Sequence, residues 1–137
     1  MCSMKRPDAG TAWPWFALAE ADLAVASMIL ERADATDELF GLACFHGQQA
    51  AEKAMKGVLT GLDLPAPRSH DLTVIGQAVA GAVEVPREVV LACEALADYG
   101  VGPRYPLPGR SVSREMATRA RRDAELVCDW SSALVNG

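Results

Sequence analysis

The sequence predicts an all-α protein, an antiparallel bundle of four main helices plus one short helix. Two observations predict it. Alanine, the best helix former, supplies much of an apolar share that reaches 50% of the 137 residues. Apolar positions recur at helical spacing along most of the chain, and no segment alternates as a strand would.

The elements follow in order. Residues 1–10 read as a flexible polar tail holding Pro7 and Gly10, and residues 11–137 as one domain. Thr11 is placed to cap a first helix, with Pro14 in the first turn, where a missing N–H costs little. Its inner face is read as Trp15, Leu18, Ala19, Asp22, Leu23, Ala26, Ile29 and Leu30, fading by residues 33–36. Asp37 or a neighbour caps a second helix to about Thr60, ended by Gly61 and the Pro65–Pro67 pair. Ser69-His70-Asp71 opens a short third helix over 71–79, closed near Gly81. Pro86 opens a fourth over 87–98, with Val89, Val90, Cys93, Leu96 and Ala97 inward. The stretch from Gly100 to Gly109 holds too many glycines and prolines for regular structure. Ser111 or Ser113 then caps a long last helix with Met116, Ala117, Ala120, Ala124, Val127, Cys128 and Leu134 as its apolar positions.

Composition excludes several classes. The net charge of −5 argues against a generally basic, nucleic-acid-coating surface, while leaving room for a local basic cleft. Arg114, Arg119, Arg121 and Arg122 crowd the last helix, and acidic residues crowd the first half. Cys2, Cys44, Cys93 and Cys128 form no C-x-x-C pair, so reduced, buried thiols and a cytoplasmic location are expected. No apolar run is read as long enough to span a membrane. His46 and His70 lack metal-ligand spacing, so neither a metal nor a cofactor is expected.

Three features point to a site. His46, Gln49, Ala50 and Lys53 are spaced i, i+3, i+4, i+7 and share one helix face, a polar stripe beside Leu39, Leu42 and Ala43. On spacing alone the stripe reads first as a core-edge imidazole bonded to a neighbour, and second as a site for an anionic ligand. Asp22 sits among apolar residues, where an unpaired carboxylate is costly. It requires Lys53, His46 or Arg104 as a partner, or else a place at the rim in water. Arg104 and Tyr105, bracketed by Pro103 and Pro106, form a stiff turn that can hold a guanidinium for phosphate and a ring for stacking. The same turn also serves as a plain helix connection.

Together these residues resemble the HEPN family, the higher eukaryotes and prokaryotes nucleotide-binding domain. Ala19–Ala26 matches a pattern A-x-x-D-L-x-x-A, and Phe45–Lys56 matches F-H-x-Q-Q-A-A-E-K-A-x-K. His70-Asp71-Leu72 and Arg104-Tyr105-Pro106 follow in family order. The resemblance implies a helical bundle, homodimerisation and a nucleotide- or RNA-related role. It also implies a minimal nucleotidyltransferase as partner, in a toxin–antitoxin-like system. Ribonuclease relatives carry Arg followed four to six residues later by His, and this chain has no such pair. The expectation is a non-catalytic binding module, with His46, Gln49, Lys53, Arg104 and Tyr105 as ligand-binding residues and Asp22 in support. The alternatives are a metal-independent ribonuclease toxin that uses His46, and a purely structural dimerisation domain.

Overall fold

A computed structural model describes residues 9–99 and 111–136. Five helices run through them: α1 (Ala9–Leu30), α2 (Asp37–Gly61), α3 (Leu72–Ala80), α4 (Arg87–Ala97) and α5 (Arg114–Asn136). No strand occurs among the described residues. α2 is the central element, because it packs against each of the other four helices.

Three of the starts have a side-chain cap. Thr36, one residue before the expected cap, accepts from the Leu39 amide and opens α2, with Asp37 and Glu38 in its first turn. The Asp71 side chain accepts from the Thr73 amide and opens α3. Ser113 does the same for α5 through the Met116 amide, and Pro86 precedes α4 with no side-chain cap. α1 begins at Ala9, so Thr11 lies inside it rather than at its cap and Pro14 sits beyond the first turn. The expected tail otherwise lies outside the described residues.

The end of α2 also differs from expectation. The helix runs through Gly61, and the residue that turns the chain is Asp63, in the left-handed region at φ 60°. Asp tolerates this conformation better than most residues with a Cβ. The Leu64 amide then bonds back to the Leu59 carbonyl at 2.8 Å.

The core faces are close to those expected, with two rotations. On α1 the buried set is Ala12, Phe16, Ala19, Asp22, Leu23, Ala26 and Ile29. Phe16 therefore takes the place given to Trp15 and Leu18; Leu18 is 51% exposed. On α4, Ala92 is buried while Val90 faces outward. An i, i+3, i+4 pattern fixes a stripe only to within about one position when apolar residues lie on both sides of it.

α1 and α2 run antiparallel at very close range. A Cβ on Gly57 would lie 2.9 Å from Cε1 of Phe16 and 3.2 Å from Cβ of Trp15. A side chain there has no room. Glycine at this point lets Phe16 lie directly on the α2 backbone.

One exclusion from the sequence needs correction. Gly10–Leu30 is long and apolar enough, by length and composition, to cross a membrane. Alanine makes it so, because small residues raise hydropathy without forming a dense run of large side chains. In this fold the same helix packs against α2 and α5 and buries Asp22.

Candidate functional site

The site is built around a single carboxylate. Asp22 lies midway along α1, 8% exposed, on the stripe that faces α2. His46 and Lys53 lie seven residues apart on α2, two turns on one face. The His46 imidazole donates from Nδ1 to Asp22 Oδ1 at 2.8 Å. The Lys53 ammonium donates from Nζ to Asp22 Oδ2 at 2.5 Å. Each carboxylate oxygen thus has its own charged or polar donor, which offsets the burial of the charge. Of the partners the sequence offers for Asp22, the structure supplies two.

This arrangement has a chemical consequence. A carboxylate can only accept, so the bond fixes a proton on Nδ1 and leaves Nε2 as the ring nitrogen open to a ligand. The imidazole is half-buried, and the Phe45 ring meets it edge-on at 5.6 Å. Lys53 is also half-buried, so its ammonium is accessible beside the imidazole.

A second cluster, not anticipated as part of the site, repeats the pattern one turn along. Glu52, 3% exposed, is approached at Oε2 by Lys56 Nζ and His70 Nδ1, both at 3.4 Å. Its other oxygen, Oε1, is buried with no hydrogen-bond partner among the described residues. By spacing Glu52 and Lys56 are an ordinary i, i+4 pair; their burial is what spacing does not reveal. The Lys56 ammonium also lies 5.7 Å from the centre of the Trp15 ring, where the ring's negative face stabilises a cation. Each histidine of the chain therefore contacts a buried carboxylate that also holds a lysine of α2.

Gln49 lies between the two clusters and is half-buried. It donates to Gln48 Oε1 at 2.7 Å, and Gln48, fully buried, donates to the His70 carbonyl at 3.4 Å. The Gln49 side chain is thus held by its neighbour rather than directed at Asp22. Arg104 and Tyr105 lie outside the described residues. The chain leaves for that segment after Tyr99, whose side chain hydrogen-bonds the Cys44 thiol. It returns ahead of Arg114, whose guanidinium lies 4.8 Å from the Phe40 ring and donates to the Leu30 and Arg32 carbonyls. Both flanks are therefore fastened to the N-terminal half of α2. Among the described residues no group of three or more His, Cys, Asp or Glu side chains is arranged to hold a metal ion.

The HEPN domain profile matches residues 12–134, nearly the whole chain and all of the site described. The chain belongs to the HEPN domain family. Two solved structures share the fold of this HEPN domain. One is TT1696 from Thermus thermophilus, with a TM-score of 0.76 and 27% identity over 89% of this chain and 96% of that one. The other is a HEPN domain protein from Thermotoga maritima, with a TM-score of 0.72 and 26% identity over 90% of this chain and 98% of that one. No curated protein matches the chain.

Proposed function

We propose that this HEPN domain is a non-catalytic module that binds the phosphate of a nucleotide or RNA at the α1–α2 face. The observation that supports the reading is the Asp22-centred cluster. Asp22 holds His46 by Nδ1 and Lys53 by Nζ, so an imidazole edge and an ammonium stand together at a half-exposed position. With a neutral imidazole the three side chains sum to no net charge, so an incoming phosphate needs a further positive charge. A proton on His46 supplies one, and Arg104, carried on a segment fastened at both flanks to α2, supplies another. Tyr105 provides the ring on which a base stacks.

Calorimetric titration with nucleotides and short RNA tests this. Binding that weakens at least about tenfold in Lys53→Ala and in Arg104→Ala is expected, since a charged hydrogen bond contributes about 1.5–3 kcal/mol. No heat of binding, or binding unchanged in both variants, rejects it. In this reading the domain is cytoplasmic and serves a minimal nucleotidyltransferase, in a toxin–antitoxin-like pairing. Co-purification of such a protein encoded beside it is the check.

A second reading is supported by the Asp–His pair itself. A carboxylate that orients an imidazole through Nδ1 is the arrangement a general base requires, and it makes His46 the catalytic group of a ribonuclease. RNA left intact by the purified protein, with no slowing of growth on expression, rejects that reading. A third is a dimerisation domain. Leu18 and Leu42, each one turn before a site residue, are both exposed beside the cluster. Light scattering that finds a monomer at micromolar concentration excludes it.

A further inference from the structure

On another side of α2, between α3 and α4, the fold forms a half-open cavity of about 150 Å³ that the α1–α2 face does not use. Its floor is made by Met55 of α2, Leu72 of α3 and Cys93 of α4, all buried. Its rim carries the exposed side chains of Gln77 and Glu94. Gly76, in the middle of α3, also lines it, and a Cβ built there meets nothing within 4 Å. Glycine is the poorest helix former after proline, so its mid-helix place has no local reason. No close packing demands it either. Its missing side chain leaves that stretch of the cavity wall bare.

We propose that this cavity binds a small single-ring apolar amine. The volume matches one six-membered ring, and burying that ring against the apolar floor removes apolar surface from water. It is too small for a nucleotide or a peptide helix, which need pockets of several hundred cubic ångströms. The polarity of the rim selects the end group: Glu94 brings a carboxylate, Gln77 an amide, and no Lys or Arg among the described residues lines the cavity. A ring with a cationic donor at one end satisfies both halves, the ring over Met55 and the ammonium toward Glu94. The site is independent of phosphate binding, because Lys53 and Met55 point to different sides of α2.

The experiment is an NMR titration of the intact protein, labelled at the methionine methyls and with nitrogen-15 on the backbone amides, with benzylamine and benzoate as probes. Benzylamine is expected to move the Met55 methyl and the Gly76 amide saturably in the millimolar range. Benzoate, of equal size and opposite charge, is expected to bind about tenfold more weakly. Gly76→Leu fills the cavity and abolishes the response, while Lys53→Ala leaves it intact. Gly76→Ala serves as the folding control: it meets no neighbour, raises the thermal midpoint and weakens binding. No saturable shift with benzylamine, equal binding of benzoate, or an undiminished response in Gly76→Leu would each overturn the proposal.

Discussion

Asp22 holds two donors for which no other carboxylate partner occurs among the described residues, and its removal acts on both. Asp22→Ala leaves a half-buried ammonium and a half-buried imidazole to find water, at an expected cost of roughly 2 kcal/mol in denaturant unfolding. Lys53→Ala, which leaves His46 on the carboxylate, is expected to cost less than half of that. Equal losses would mean that Asp22 is held by Lys53 alone. The buried thiols give a separate prediction in pH. Burial pushes Cys44 up to about 11 and Cys93 up to about 12 from an ordinary 9.0, and it raises Cys128 as well. The unfolded chain therefore releases these protons first. Stability is whole below pH 9.0 and falls as pH rises through the folded value of about 11, the lower of the two. Thermal midpoints across this window should decline, and Cys44→Ala should flatten part of the decline. At neutral pH these thiols should resist alkylation until the protein is unfolded. At this scale the sequence disclosed Asp22, because a carboxylate on an apolar stripe requires a partner. It did not disclose Glu52, because an i, i+4 Glu–Lys pair reads the same whether solvated or buried.

Helix–helix distance is set at positions that carry no chemistry. Gly57→Ala places a methyl 2.9 Å from the Phe16 ring and 3.2 Å from the Trp15 Cβ. The ring can turn, but the Trp15 Cβ moves only with the α1 backbone. Despite the better helix propensity of alanine, a loss of about 1–3 kcal/mol is expected, read by thermal or urea unfolding. A gain in stability would show that α1 shifts without resistance. Helix limits were legible to within a few residues wherever a side chain caps the end, as at Thr36, Asp71 and Ser113. They were less legible at the start of α1, where the helix runs from Ala9, two residues ahead of the expected cap at Thr11. The rotation of α1 toward Phe16 was hidden because Trp15, Phe16 and Leu18 are all apolar, and only the glycine on α2 selects among them.

At the scale of the fold, α2 is packed by each of the other four described helices, so no part of the described core survives its loss. A single cooperative transition is therefore expected, with near- and far-ultraviolet circular dichroism coincident in urea. Separate transitions would mean that α3 and α4 form a unit of their own. The bundle was legible from periodicity alone, whereas the two-cluster face and the α3–α4 cavity arise from tertiary placement that no local pattern encodes. The contact of Phe16 with Gly57 has a further consequence, which is one of alignment. Along α1, Asp22 stands about 9 Å beyond Phe16; along α2, Lys53 and His46 stand about 6 Å and about 16 Å beyond Gly57, at ~1.5 Å per residue. The carboxylate therefore falls between its two donors, within reach of both. Sliding one rod by a single turn, about 5.4 Å, would bring it level with one donor and strand the other. The aromatic ring seated on a bare stretch of backbone works as a detent, and the chemistry at Asp22 depends on where that detent stops the slide.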